Sequence, residues 1–156
     1  MIKEVVTGFI HVFLAGCCLM LDLLAFETFN QVAIQALLCV YIVVLAKHSR
    51  FLLVGFFMVA IAVESMIFWG HVSYGLFIAL FLVPLLWVLQ AWIHHPLIAS
   101  ICALAIVTGI QTSMLISDGH VVLGNLLMHI GHFCINAVFL SIYWFFDKDG
   151  KQGDRS

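Results

Sequence analysis

Asn125, His129, His132 and Asn136 recur at spacings of four, three and four in the last apolar run, so one face of one helix carries two imidazoles and two amides. Imidazole can ligate a metal, hold a haem or carry a proton. Counting ~1.5 Å per residue from the ends of the apolar runs, Glu64 and His129 reach similar depth and Asp22 lies slightly further out. His71 and His120 fall in gaps on that same outer side. These residues could therefore converge with Asp22, Glu64, His129 and His132 in the outer half of a helical bundle.

The chemistries differ in what they require. A metal centre needs three or four ligands at ~2.0 to 2.2 Å from one ion, and the i, i+3 pair His129 and His132 is a poorer chelate than an i, i+4 pair. A b-type haem needs two histidines at equal depth on facing helices, and His11 lies nearer the inner face than His132. No metal and no cofactor is expected. The simpler reading is that Asn125, His129, His132 and Asn136 hydrogen-bond across helices to Glu64, Gln111 or backbone carbonyls and tie the bundle together. Glu64 is expected as an interior hydrogen-bonded acid, although in a carrier it would serve as a proton or substrate handle. Asp22, closer to the outer boundary, is expected to reach water. His11, Gln31, Gln35, Gln90 and Gln111 are isolated polar points with interhelical roles. No Ser, His and Asp spacing or paired-acid motif supports an enzyme.

The elements that position these residues follow from composition. With 65% hydrophobic and 9% charged residues and a mean hydropathy of +1.20, the chain has too little polar surface to enclose itself in water. The expected fold is all-α, a polytopic membrane helical bundle of six transmembrane helices. At about 20 residues per span, the runs are Val5 to Leu24, Asn30 to Ala46, Phe51 to Trp69, Ser73 to Ile93, Leu97 to Ile116 and Leu123 to Phe146. Short gaps make neighbouring runs antiparallel. Lys3, Lys47, Arg50, Lys148, Lys151 and Arg155 all fall on one side of this threading, so the positive-inside tendency puts both termini in the cytoplasm. Residues 1–146 form one membrane domain and 147–156 a mobile charged tail. The net charge of −2 and the topological role of the basic residues argue against nucleic acid, leaving lipid as the first partner.

Several smaller expectations complete this frame. Leu14, Ala15, Gly16 and Cys17 spell a lipobox, but hydrophobicity continues through Leu24 and the segment reads as a span. Cys17, Cys18, Cys39, Cys102 and Cys134 lie in apolar runs without CxxC spacing and read as small packing residues. Cys102, Ala105, Gly109 and Ser113 form a small-residue face where a neighbouring helix can approach. Pro84 can kink the fourth span. Tyr41, Trp87, Trp92, Tyr143 and Trp144 fit a cytoplasmic aromatic belt, and Trp69 and Tyr74 the opposite one.

From about Asn30 to Lys148 the chain resembles the rod shape-determining MreD family. The points of likeness are Asn30-Gln31-Val32, the basic turn Lys47 to Arg50, the run Gly55 to Ile61, the acidic Glu64, Tyr74-Gly75-Leu76 and Ile135-Asn136-Ala137-Val138. Phe29 stands where the family usually has proline. Glu64 stands where it usually has aspartate, nearer the next glycine. The histidine stripe is not a family feature. The resemblance implies a non-enzymatic, multi-pass subunit of the cell-elongation and peptidoglycan-synthesis machinery in the bacterial inner membrane. It implies contact with a single-span MreC-like partner. The family is also similar in shape to the substrate-binding S components of energy-coupling factor transporters, so a small-molecule or ion carrier is the alternative.

Overall fold

A computed structural model describes residues 2–29, 35–47, 51–70, 72–117 and 126–147 of the chain. All regular structure among them is helical: α1 (Ile2–Phe29), α2 (Ala36–Lys47), α3 (Phe51–Trp69), α4 (Val72–Trp92), α5 (Pro96–Ser117) and α6 (Leu126–Phe146). The expected runs and the helices coincide closely for α3, α4 and α5. Four helices, α3 to α6, are long and apolar enough to cross a membrane, while α1 carries a shorter apolar stretch, Phe9–Ala25. Large apolar side chains such as Phe13, Met66, Trp87, Trp92 and Phe145 face outward, as lipid solvation requires. Residues 1, 30–34, 48–50, 71, 118–125 and 148–156 lie outside the described residues. The expectations placed on Arg50, His71, Asn125, His120, Lys148, Lys151 and Arg155 fall there too.

The shortest helix is the centre of the bundle. Helix α2 has 12 residues, Ala-Leu-Leu-Cys-Val-Tyr-Ile-Val-Val-Leu-Ala-Lys, with no polar face to present outward. A helix that is apolar all round belongs in a protein interior or in a membrane, and here Ala36 through Val44 are all buried. It touches each of the other five helices. Val40, Ile42, Val43 and Val44 are poor helix formers because their branched side chains lose χ1 freedom. This helix therefore draws its stability from packing and from what holds its ends.

Neighbouring contacts define the directions. Residues 35 and 39 of α2 meet Asn136 while Lys47 meets Trp144 and Asp147, so α2 and α6 run parallel. Gln35, Leu38, Tyr74, Gly75 and Ile78 share one cavity and Tyr41 reaches Ala79, so α4 runs the same way. Alternation of direction from helix to helix follows, as short connections demand. Gly70, at φ 70°, ends α3 in the left-handed conformation that glycine adopts without strain, and its N–H donates to the Met66 carbonyl at 3.1 Å. Gly75 then lets α4 cross α3 at close range: a Cβ there would sit 2.6 Å from the Ile61 carbonyl oxygen and from Ser65 Cβ.

Three packing expectations need correction. The face of Cys102, Ala105, Gly109 and Ser113 is largely exposed, and nothing lies within 4 Å of a Cβ built on Gly109. Helix α5 instead packs through Ala99, Ala103, Leu104 and Val107. Tyr41 is not a belt residue: it is fully buried and its hydroxyl donates to the Ala79 carbonyl at 3.0 Å. Cys18 and Cys39 pack in the core, but Cys17 and Cys134 face outward. Helix α4 is continuous from Val72 to Trp92 with Pro84 inside it.

Candidate functional site

The N-terminus of α2 gathers polar side chains from every other helix. Its first intrahelical bond runs from Cys39 N–H to the Gln35 carbonyl at 3.0 Å, which makes Gln35 the capping residue. Glutamine is not a residue that caps its own helix well. The free N–H groups are satisfied from elsewhere: Ala36 donates to Asp22 Oδ1 at 2.8 Å, Leu37 to Asp22 Oδ2 at 3.1 Å, and Gln35 to Asn136 Oδ1 at 2.9 Å. Three consecutive backbone donors thus bind one carboxyl group from α1 and one amide from α6. A carboxylate at a helix N-terminus meets both the unpaired N–H groups and the positive end of the helix dipole. Asp22 is 0% exposed, so the expectation that it reaches water is overturned. It is consumed by a cap that the sequence separation of 14 residues gave no hint of.

Glu64 of α3 lies beside Asp22, and the two side chains interact through a hydrogen bond. Asp22 and Glu64 thus meet across α1 and α3. Helix α1 extends to Phe29, past the Leu24 boundary expected for its span. Taking 1.5 Å per residue from Lys47, the start of α2 lies about 17 Å inward of that end.

A small polar cavity continues from Glu64. It is lined by Gln35, Glu64, Ser65, Tyr74 and Gln111 among apolar residues that include Leu38 and Phe68, with a volume of about 40 Å³. Gln35 Nε2 donates to Gln111 Oε1 at 2.9 Å, and Gln111 also hydrogen-bonds Tyr74. Gln35 Oε1 is buried without a protein partner. The glutamines, isolated points in the sequence, are the link between α2, α4 and α5.

The polar stripe of α6 divides. Asn136 is 2% exposed and joins Asp22 and Glu64 at the α2 terminus through Gln35. Its side chain accepts from a backbone N–H, whereas a carbonyl was the expected kind of backbone partner. His129 and His132 are partly exposed and meet each other edge to face, ring centroids 6.1 Å apart. They pair with one another along α6. Among the described residues no group of three or more His, Cys, Asp or Glu stands in metal-binding proximity. His11 packs edge to face on Phe57 at 6.4 Å.

The opposite end of α2 is closed by its own last residue. Lys47 Nζ donates to the carbonyls of Trp144 and Asp147, lies 4.6 Å from the centre of the Trp144 ring and 4.0 Å from the Asp147 carboxylate. Lys47 was expected to set topology; it also joins the ends of α2 and α6. No family model, curated protein or solved structure matches the chain.

Proposed function

We propose that this chain is a six-span inner-membrane scaffold with both termini in the cytoplasm, of the MreD type, and that it works by presenting helix surfaces to a single-span MreC-like partner in a bacterial cell-elongation complex. The observation that carries this reading is how the buried polar groups are used. Asp22, Asn136, Gln35 and Gln111 bind one another or the α2 backbone, so they act as internal ties between helices. The cavity they leave, about 40 Å³, has room for one or two waters. A small-molecule pocket occupies about 300 to 1,000 Å³. The resemblance from Asn30 to Lys148 supplies the cellular role, and the one-sided distribution of Lys and Arg supplies the orientation.

One observation favours the carrier alternative. Helix α2 is about 18 Å long and begins well inside the bundle, and carriers build sites at the ends of such half-length helices. In that reading Asp22, Glu64, His129 and His132 would line the route of an ion or small solute. Native mass spectrometry of the intact protein, with metal analysis on the same sample, separates the two. Co-purification with a single-span protein and no bound metal or solute is the expected result. A stoichiometric small-molecule or metal mass overturns the scaffold reading.

A further inference from the structure

We propose that the cavity beside Glu64 is hydrated and that the Asp22–Glu64 pair is a proton-exchange site inside the bundle, its ligand a proton delivered by one or two waters. The inference does not depend on the identity of the protein partner. It stands on the cap at Asp22, the cavity beside Glu64 and the orphaned Gln35 oxygen, together with the pairing of the two carboxyl groups.

Both carboxylate oxygens of Asp22 accept backbone N–H groups. Asp22 is thereby fixed as an acceptor. A hydrogen bond between its side chain and that of Glu64 needs a proton between them, and Glu64 is the group able to supply it. Glu64 also lines the cavity, which gives that proton a second neighbour. Finally, Gln35 Oε1 is a buried acceptor with no protein donor at the same cavity. Such an acceptor is costly to leave empty, and a cavity of about 40 Å³ has the volume and the polar partners a water requires. Water donates to Gln35 Oε1 and keeps a donor and an acceptor for Glu64, Ser65 or Tyr74.

The groups around Glu64 are carboxyl, thiol, phenol and amide. Helix α1 presents Asp22 and Cys18, α2 presents Cys39, α4 presents Tyr74, and α5 presents the amide of Gln111. Lys47 sits at the far end of α2. Exchange is a balanced swap: the Glu64 carboxyl proton passes to cavity water while a proton from that water takes its place on the carboxyl group. Net charge beside Asp22 is unchanged.

The test is infrared spectroscopy of the full chain in lipid. Glu4, Glu27 and Glu64 are its glutamates, so the double variant Glu4→Gln, Glu27→Gln leaves Glu64 as the sole carrier of a δ-13C-glutamate label without altering the site. The expected result is a protonated-carboxyl C=O band at neutral pH that moves with the 13C label and moves again within minutes of transfer to D2O. Glu64→Gln, close to isosteric, should abolish that band. Absence of a label-sensitive band overturns the assignment of the proton to Glu64. A label-sensitive band that D2O leaves unmoved after hours means a dry, sealed carboxyl and overturns the exchange site.

Discussion

The two ends of α2 are tied to their neighbours in different ways: buried partners meet the free N–H groups at its start, whereas at its finish Lys47 reaches to carbonyls at the end of α6. An α-helix leaves N–H groups unpaired at its start and carbonyls unpaired at its finish, with a partial positive charge at the first and a negative one at the second. At the start of α2 a fully buried carboxylate from α1 and an amide from α6 meet those groups. At its finish the helix's own lysine turns to neighbouring carbonyls of α6, partly in contact with solvent. The buried end depends on residues remote in sequence and has no water to replace them. The Lys47 end depends on a single side chain of the helix's own, 13% exposed, that reaches to the end of α6. A short helix of β-branched residues is thus stabilised mostly from one side.

The comparison can be broken most severely at Asp22. Asp22→Ala strips partners from two buried N–H groups and is expected to cost about 2 to 5 kcal/mol, seen as a large drop in detergent melting temperature. A loss under 1 kcal/mol would mean that water fills the cap and that the two ends are equivalent. Next, Asn136→Ala removes one acceptor from Gln35 N–H, and about 1 to 2 kcal/mol is expected; the double variant with Asp22→Ala should be less than additive if both act on one helix terminus. Midway along the helix, Tyr41→Phe deletes the donor to Ala79 at the cost of about 1 kcal/mol, a value that amide-exchange protection of α2 can read. The smallest effect is expected at Lys47→Met, about 0 to 1 kcal/mol and reduced further by salt. A Lys47 loss equal to that of Asp22 would reverse the contrast.

Much of the architecture was legible. The apolar runs place α3, α4 and α5 within a residue or two of their observed bounds, because a helix in an apolar setting needs no amphipathic code beyond length and hydrophobicity. The stripe on α6 was legible as a face, and Asn136 acts as interhelical glue. The small-residue face on α5 was misleading, since close approach depends on which neighbour lies opposite. Gly75 carries the close crossing because Ile61 and Ser65 happen to face it.

By itself, the sequence determined that the chain is helical and where its apolar runs and turns such as that at Gly70 fall; it was read as six spans, of which four are helices long and apolar enough to cross a membrane among the described residues. Those properties are set by composition and by residues near one another in the chain. Only the tertiary structure decided that the shortest helix is the central one, that Asp22 caps it from α1, and that Glu64 and the glutamines Gln35 and Gln111 share a cavity. Hydropathy ranks segments by their affinity for an apolar medium, and inside such a medium every apolar helix ranks alike. Which one is enclosed is settled by the few polar groups that must find partners, and those partners lie as many as 101 residues away.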